Sequence, residues 1–275
     1  MVRILYKILL FLSILFIFIG CTSYLSPQER YANSLQEVQK SQWKSELIKT
    51  QIFTLQSFYP INHPKKCETL SVFIEGDGFA WVTRNQPSQN PTPINPIALK
   101  IALNLGKKDS AYLSRPCQNV FNDDFNSCQE RYWADDRFSD EVIASMDNAL
   151  SQLKQSFGAK KIELIGYSGG GVIALLLANK RDDIVKITTV ASNIDTDAWV
   201  KYHNISPLHV SNPALLWKKL QEIPQIHYVG GNDSVVPSLI AKSYQDHFDA
   251  NRSPQIKIID NYTHQCCWED TKSYW

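Results

Sequence analysis

The sequence predicts an α/β fold, a mostly parallel sheet with helices on both faces. Three observations predict it. Short runs rich in β-branched and aromatic residues alternate with helical stretches from about residue 51 to the C-terminus. One of those helical stretches, Gly170 to Lys180, is apolar almost throughout, as a helix buried against a sheet must be. The chain has 275 residues, 44% apolar and 20% charged, enough to build one large domain of this kind.

Residues 21–50 are polar and read as a tether with one helix. Ser26-Pro27-Gln28-Glu29 forms a capping-box start, and Tyr31, Leu35 and Val38 then recur at helical spacing. Strands are expected at Thr50 to Phe58 and Leu70 to Ile74, the second running into Glu75-Gly76-Asp77-Gly78. The Pro- and Asn-rich stretch Gln86 to Pro96 is a loop. Ile97 to Leu105 is a helix and Ala111 to Ser114 a strand. Ser139 caps a helix whose apolar face carries Val142, Ile143, Met146, Leu150 and Leu153. Lys161 to Gly166, Val185 to Ala191, Gln225 to Val229 and Ile256 to Ile259 are strands, and Ser238 to Phe248 is a helix between the last two. Residues 195–222, with Trp199 and Pro207 and Pro213, form a small cap insertion over the ends of the strands.

The first residues have a different character. Arg3 and Lys7 precede an apolar run from Ile8 to Ile19, roughly 12 residues, which suits a signal-peptide core better than a span of a ~30 Å bilayer. The run ends at Phe18-Ile19-Gly20-Cys21, which resembles the lipobox of bacterial lipoproteins. The resemblance implies cleavage of residues 1–20, acylation of Cys21, and export to a bacterial membrane. With Thr22 rather than Asp after the cysteine, that membrane is expected to be the outer one, the protein facing the periplasm. Export puts Cys67, Cys117, Cys128, Cys266 and Cys267 in an oxidising compartment. Cys117 and Cys128 bracket a short polar loop and are the candidate disulfide; Cys67 could reach Cys266 or Cys267. No zinc spacing is present, so neither a metal nor a cofactor is expected. Basic and acidic residues number 28 and 27, leaving no field of one sign to attract nucleic acid.

The chemistry centres on Gly166-Tyr167-Ser168-Gly169-Gly170-Gly171, a G-x-S-x-G pattern with a strand before it and an apolar helix after it. That context puts Ser168 on a sharp strand-to-helix turn, near helix N–H groups that favour developing negative charge. A serine hydroxyl needs an oriented base. Of six histidines, His63 lies early, His227 falls in a strand, His247 in a helix, and His203 and His209 in the irregular insertion. His264, in a loop after the last strand, can fold back over the strand ends. Asp233 follows a strand within Gly230-Gly231-Asn232-Asp233 and is the candidate acid, over Asp195, Asp197 and Asp260. For an oxyanion hole the N–H of Gly169 and that of Asp77 or Gly78 are the candidates, with the Asp77 side chain turned away.

From about Phe53 onward these features together resemble the α/β-hydrolase fold, and more narrowly its bacterial lipoprotein members. The residues that carry the resemblance are Glu75 to Gly78, Arg131 to Trp133, and the elbow Gly166 to Gly171. It implies a nucleophile elbow after the fifth strand and the chain order Ser168, Asp233, His264 for nucleophile, acid and base. The implied activity is that of a serine hydrolase, a carboxylesterase or related acyl hydrolase, acting on a small-molecule acyl ester. Trp81, Trp133 and Trp199 are candidate walls of an apolar pocket suited to a neutral acyl chain. A non-catalytic envelope lipoprotein, a peptidase or an acyltransferase could share the same motifs.

Overall fold

The computed structural model describes residues 24–209 and 211–273. The expected signal peptide and the candidate lipidation residue Cys21 lie outside the described residues.

Eight strands form the central sheet: β1 (Trp43–Lys49), β2 (Thr54–Pro60), β3 (Cys67–Ile74), β4 (Ser110–Leu113), β5 (Ala159–Tyr167), β6 (Ile184–Val190), β7 (Gln225–Gly230) and β8 (Gln255–Ile259). Their spatial order is β1-β2-β4-β3-β5-β6-β7-β8. β1 and β4 pair antiparallel with β2, and every other pairing is parallel. The crossovers between the parallel strands place helices on both faces.

Side-chain alternation along the strands sorts the core into two layers. Val72, Ile74 and Leu164 pack on one side with helices α3 (Asp140–Ser156) and α4 (Gly169–Lys180), and with Ala241 and Tyr244 of α6 (Ser238–Gln245). Phe73 and Ile165 face the other side, against α2 (Ile97–Leu105), Val38 of α1 (Pro27–Lys40), and Trp268. α4 is buried from Gly169 to Ala178, which accounts for its uniformly apolar sequence. α1 starts on the expected capping box: Glu29 N–H donates to Ser26 Oγ at 3.2 Å, and Ser26 N–H to the Glu29 carboxylate at 2.7 Å.

Three expectations need correction. Residues 43–49, assigned to the tether, form β1; this edge strand exposes most of its side chains, Lys44 and Glu46 among them, so it lacks the apolar alternation that marks a buried strand. Ser139 occupies the N-cap position of α3, but its side chain makes no capping bond. The 86–96 loop contributes Gln86–Pro87 to a small hairpin with Trp81–Thr83.

Cys117 and Cys128 form a disulfide, with Cα atoms 5.6 Å apart. Cys266 and Cys267 are joined to each other, and Cys67 carries no disulfide. Cys67 opens β3, whereas Cys266 and Cys267 follow β8, so the parallel strands hold them at opposite ends of the sheet.

Candidate active site

The register of the parallel strands determines what meets at their carboxyl ends. Ile74 of β3 pairs with Gly166 of β5, so the 75–78 loop and Ser168 leave the sheet side by side. Gly230 of β7 pairs with Ile259 of β8, which places the Asp233 turn beside the loop carrying His264.

Ser168 sits between β5 and α4 at φ 50° and ψ −125°, a backbone conformation that L residues rarely adopt. The turn closes only because its neighbours are glycines. A Cβ on Gly166 would lie 2.4 Å from Gly170 O, and one on Gly170 would lie 2.4 Å from Ile74 O. Both approaches are far inside van der Waals contact. Ser168 N–H donates to Val190 O at 2.9 Å, which ties the turn to β6.

Ser168 Oγ lies 3.1 Å from His264 Nε2, and His264 Nδ1 lies 2.9 Å from Asp233 Oδ2. The other oxygen of Asp233, Oδ1, accepts the N–H groups of Val235 and Val236, both at 2.8 Å, and the side chain is fully buried. A carboxylate so bonded keeps one oxygen fixed in the turn and aims the second at the imidazole. The His264 loop is braced at its own backbone: His264 O accepts Tyr167 Oη at 3.0 Å and Trp268 Nε1 at 3.1 Å. It is stitched to the Asp233 turn by Gly231 N–H to Ile259 O and Asn232 N–H to Tyr262 O, both 2.9 Å.

Four other histidines and the rival acid Asp195 have partners elsewhere. His227 is buried on β7 against Thr189 Oγ1, with burial pushing its pKa down to about 3. His203 meets Val235 O, His209 pairs with Asp136, and His63 is buried beside Phe157. Asp195 caps α5 (Thr196–His203) through Ala198 N–H and also bonds Asn212 and Ser243.

Among the described residues, no acceptor meets the N–H groups of Gly169, Asp77 or Gly78. Gly78 has φ 68°, and a Cβ there would lie 2.1 Å from Pro91 O, so only glycine fits. The Asp77 side chain does not turn away as expected. Its carboxylate packs on Gly169, where a Cβ would meet Oδ1 at 2.0 Å. Arg115 neutralises it, with Nη1 at 2.5 Å from Oδ1, and Arg137 Nε stands 3.3 Å from Oδ2. Burial pulls the Arg115 pKa below its ordinary value, Asp77 opposes that pull, and nearby Arg137 adds to it. Neither arginine was legible in the sequence: they come from separate loops and match no motif.

A cleft of about 940 Å³ opens over Ser168, lined by Phe79, Ala80, Trp81 and Ile94 and by Trp199 and Ile205 of the 195–222 segment. Trp133, a candidate wall, is instead a core residue whose indole N–H donates to Ser88 O at 2.9 Å. Glu75 lies beneath the cleft, nearly inaccessible. Its Oε1 accepts Gly76 N–H at 3.0 Å and Ala98 N–H at 3.4 Å, and burial pushes its pKa up to about 7 against those bonds. Among the described residues, no cluster of His, Cys, Asp and Glu could hold a metal.

No protein-family model and no characterised protein sequence matches the chain. Solved structures do. An esterase from Pyrococcus furiosus, Pf2001, aligns over 93% of this chain and 93% of its own at 12% identity, with a TM-score of 0.57. Est1E from Butyrivibrio proteoclasticus, solved with ferulic acid bound, aligns over 83% of this chain and 95% of its own at 14% identity and TM-score 0.55. A serine hydrolase homologue from Coxiella burnetii covers 81% and 89% respectively, at 14% identity and TM-score 0.52. With the sheet order above, the similarity establishes the α/β-hydrolase type of fold, and the elbow follows the fifth strand of the sheet.

Proposed function

We propose that the chain is a serine hydrolase of carboxylesterase type that cleaves a small acyl ester. The observation that carries this reading is the unbroken hydrogen-bonded series from Ser168 Oγ through His264 to Asp233. In the proposed reaction His264 Nε2 takes the Ser168 proton as Oγ bonds to the ester carbonyl carbon. Asp233 holds the imidazole tautomer and stabilises its charged form. The carbonyl oxygen, now negative, is met by the N–H groups of Gly169 and Asp77 or Gly78, each such donor contributing roughly 3 kcal/mol. The alcohol departs with the proton from His264. Water then attacks the acyl-enzyme, giving one proton to His264 and restoring Ser168 as the acid leaves.

The aromatic and aliphatic walls of the cleft suit the hydrocarbon part of an acyl group. The ferulic acid complex of Est1E supports an ester of a small carboxylic acid as the substrate type. We further propose that residues 1–20 direct export and that an acylated Cys21 tethers the enzyme to a bacterial outer membrane, facing the periplasm. The supporting features are the basic lead, the apolar run and the tetrad ending at Cys21.

A fluorophosphonate probe tests the chemistry directly. The wild type is expected to be labelled at Ser168, with labelling abolished in Ser168→Ala. Folded protein that never reacts would instead fit a binding role for the same fold. Cleavage of peptide amides alone, without esters, would replace the esterase reading by a peptidase one.

A further inference from the structure

The charges around Asp77 do not cancel. Arg115 and Arg137 are both almost excluded from solvent, with side-chain exposures of 4% and 6%, yet they share one carboxylate. Arg115 is bonded through both terminal nitrogens, Nη1 to Asp77 and Nη2 to Arg137 O, and only its Nε has no partner. Arg137 is less engaged. Its Nε faces Asp77 without a hydrogen-bond geometry and its Nη1 donates to Ala134 O at 3.1 Å. Among the described residues no acceptor meets its Nη2. The guanidinium lies 5.9 Å from the centre of the Trp199 ring and lines the same cleft as Ser168.

A brace for Asp77 needs one arginine. A second buried cation adds repulsion against the first and leaves a charged donor desolvated, a net cost unless something else binds it. The planar guanidinium matches a carboxylate well, because both are flat and fork-shaped. The other charged groups of the cleft do not serve Arg137. Glu75 is buried beneath with Oε1 committed to backbone N–H groups, while Asp135 and Arg84 are exposed on its lining.

We infer that Arg137 receives a carboxylate carried by the substrate, so that the preferred esters are hemi-esters of dicarboxylic acids. The hydrocarbon between the two carbonyl groups lies along Trp81 and Trp199 while the scissile carbonyl sits at Ser168. This rests on the hydrolase reading above and adds the substrate class to it.

The test compares ethyl hydrogen adipate with ethyl hexanoate, which puts a methyl where the hemi-ester has its carboxylate. Acid release is followed at constant ionic strength and neutral pH. The wild type is expected to show a kcat/KM at least about tenfold higher for the hemi-ester, as a charge-assisted bond provides. That ratio falls to about one in Arg137→Met and is intermediate in Arg137→Lys. Equal or better cleavage of ethyl hexanoate by the wild type overturns the inference while leaving the hydrolase reading standing. Calorimetric titration of both esters into Ser168→Ala gives a readout free of turnover and of any folding defect at position 137. Binding of the hemi-ester about tenfold more tightly supports the receptor. If the wild type neither reacts with the fluorophosphonate nor cleaves either ester, yet this selective binding persists, the hydrolase reading falls and the carboxylate receptor stands. Equal binding of the two esters overturns the receptor.

Discussion

Asp233 is held so firmly that the consequence of changing one of its atoms can be followed. In Asp233→Asn the amide oxygen can keep both bonds from Val235 and Val236, while an NH2 group now faces His264 Nδ1. The imidazole must then present a lone pair at Nδ1 and its proton at Nε2, toward Ser168, the wrong tautomer for a base. Ester turnover is expected to fall about ten-thousand-fold with the melting temperature nearly unchanged, read by nitrophenyl acetate hydrolysis and thermal unfolding. A melting temperature that drops sharply would mean that the carboxylate mainly supports the fold. Gly169→Ala probes the opposite edge of the site. Its Cβ meets the Asp77 carboxylate, which must swing off Gly169 and lose its place against Arg115. Labelling of Ser168 is expected to slow by at least tenfold, the effect of weakening one oxyanion donor; an unchanged rate would separate the 75–78 loop from the chemistry.

At the scale of the element, the β3 loop and the start of α2 are joined by Glu75, whose Oε1 takes N–H groups from both. Burial raises its folded pKa to about 7 from the ordinary 4.5. Between those values the folded chain binds a proton that the unfolded chain has released. Stability is therefore greatest below pH 4.5 as far as this group is concerned, and declines as pH rises through 7. The decline is on the order of 3 kcal/mol. Glu75→Gln should flatten that slope in urea unfolding measured at pH 5 and pH 8; an equal slope in both proteins would assign it to other groups. The elements themselves differ in how plainly the sequence announces them. α4 is legible because burial on all sides demands an unbroken apolar run, and the elbow because close approach demands Gly166 and Gly170. β1 is not, since an edge strand satisfies water on most of its length and its pairing with β2 is decided by the sheet rather than by its own residues.

Across the whole molecule, Ser168, Asp233 and His264 were readable as a set because each follows a strand, and strand ends converge in an open parallel sheet. Arg115 and Arg137 were not, because their meeting with Asp77 depends on how two irregular loops pack. The Cys117–Cys128 bond closes one of those loops, next to Arg115. By loop-closure entropy its removal should cost about 3 kcal/mol, seen as a lower denaturation midpoint for Cys117→Ser/Cys128→Ser; an unchanged midpoint would mean the loop is ordered without it. The buried His227 sets an acid limit on the same scale. With its pKa depressed from 6.5 to about 3, stability is lost as pH falls through that interval, while Glu75 acts in the opposite direction between 4.5 and about 7.

The backbone bonds that sew the 230–233 turn to the 259–262 loop carry one more implication. The turn carrying Asp233 and the loop carrying His264 form one stitched piece on the β7–β8 edge, and Ser168 belongs to a second piece, the turn between β5 and α4. Among the described residues, two side-chain hydrogen bonds join the pieces here, Ser168 Oγ to His264 Nε2 at 3.1 Å and Tyr167 Oη to His264 O at 3.0 Å. Slippage between these halves would therefore disarm the hydroxyl while leaving the imidazole and its carboxylate partner locked together.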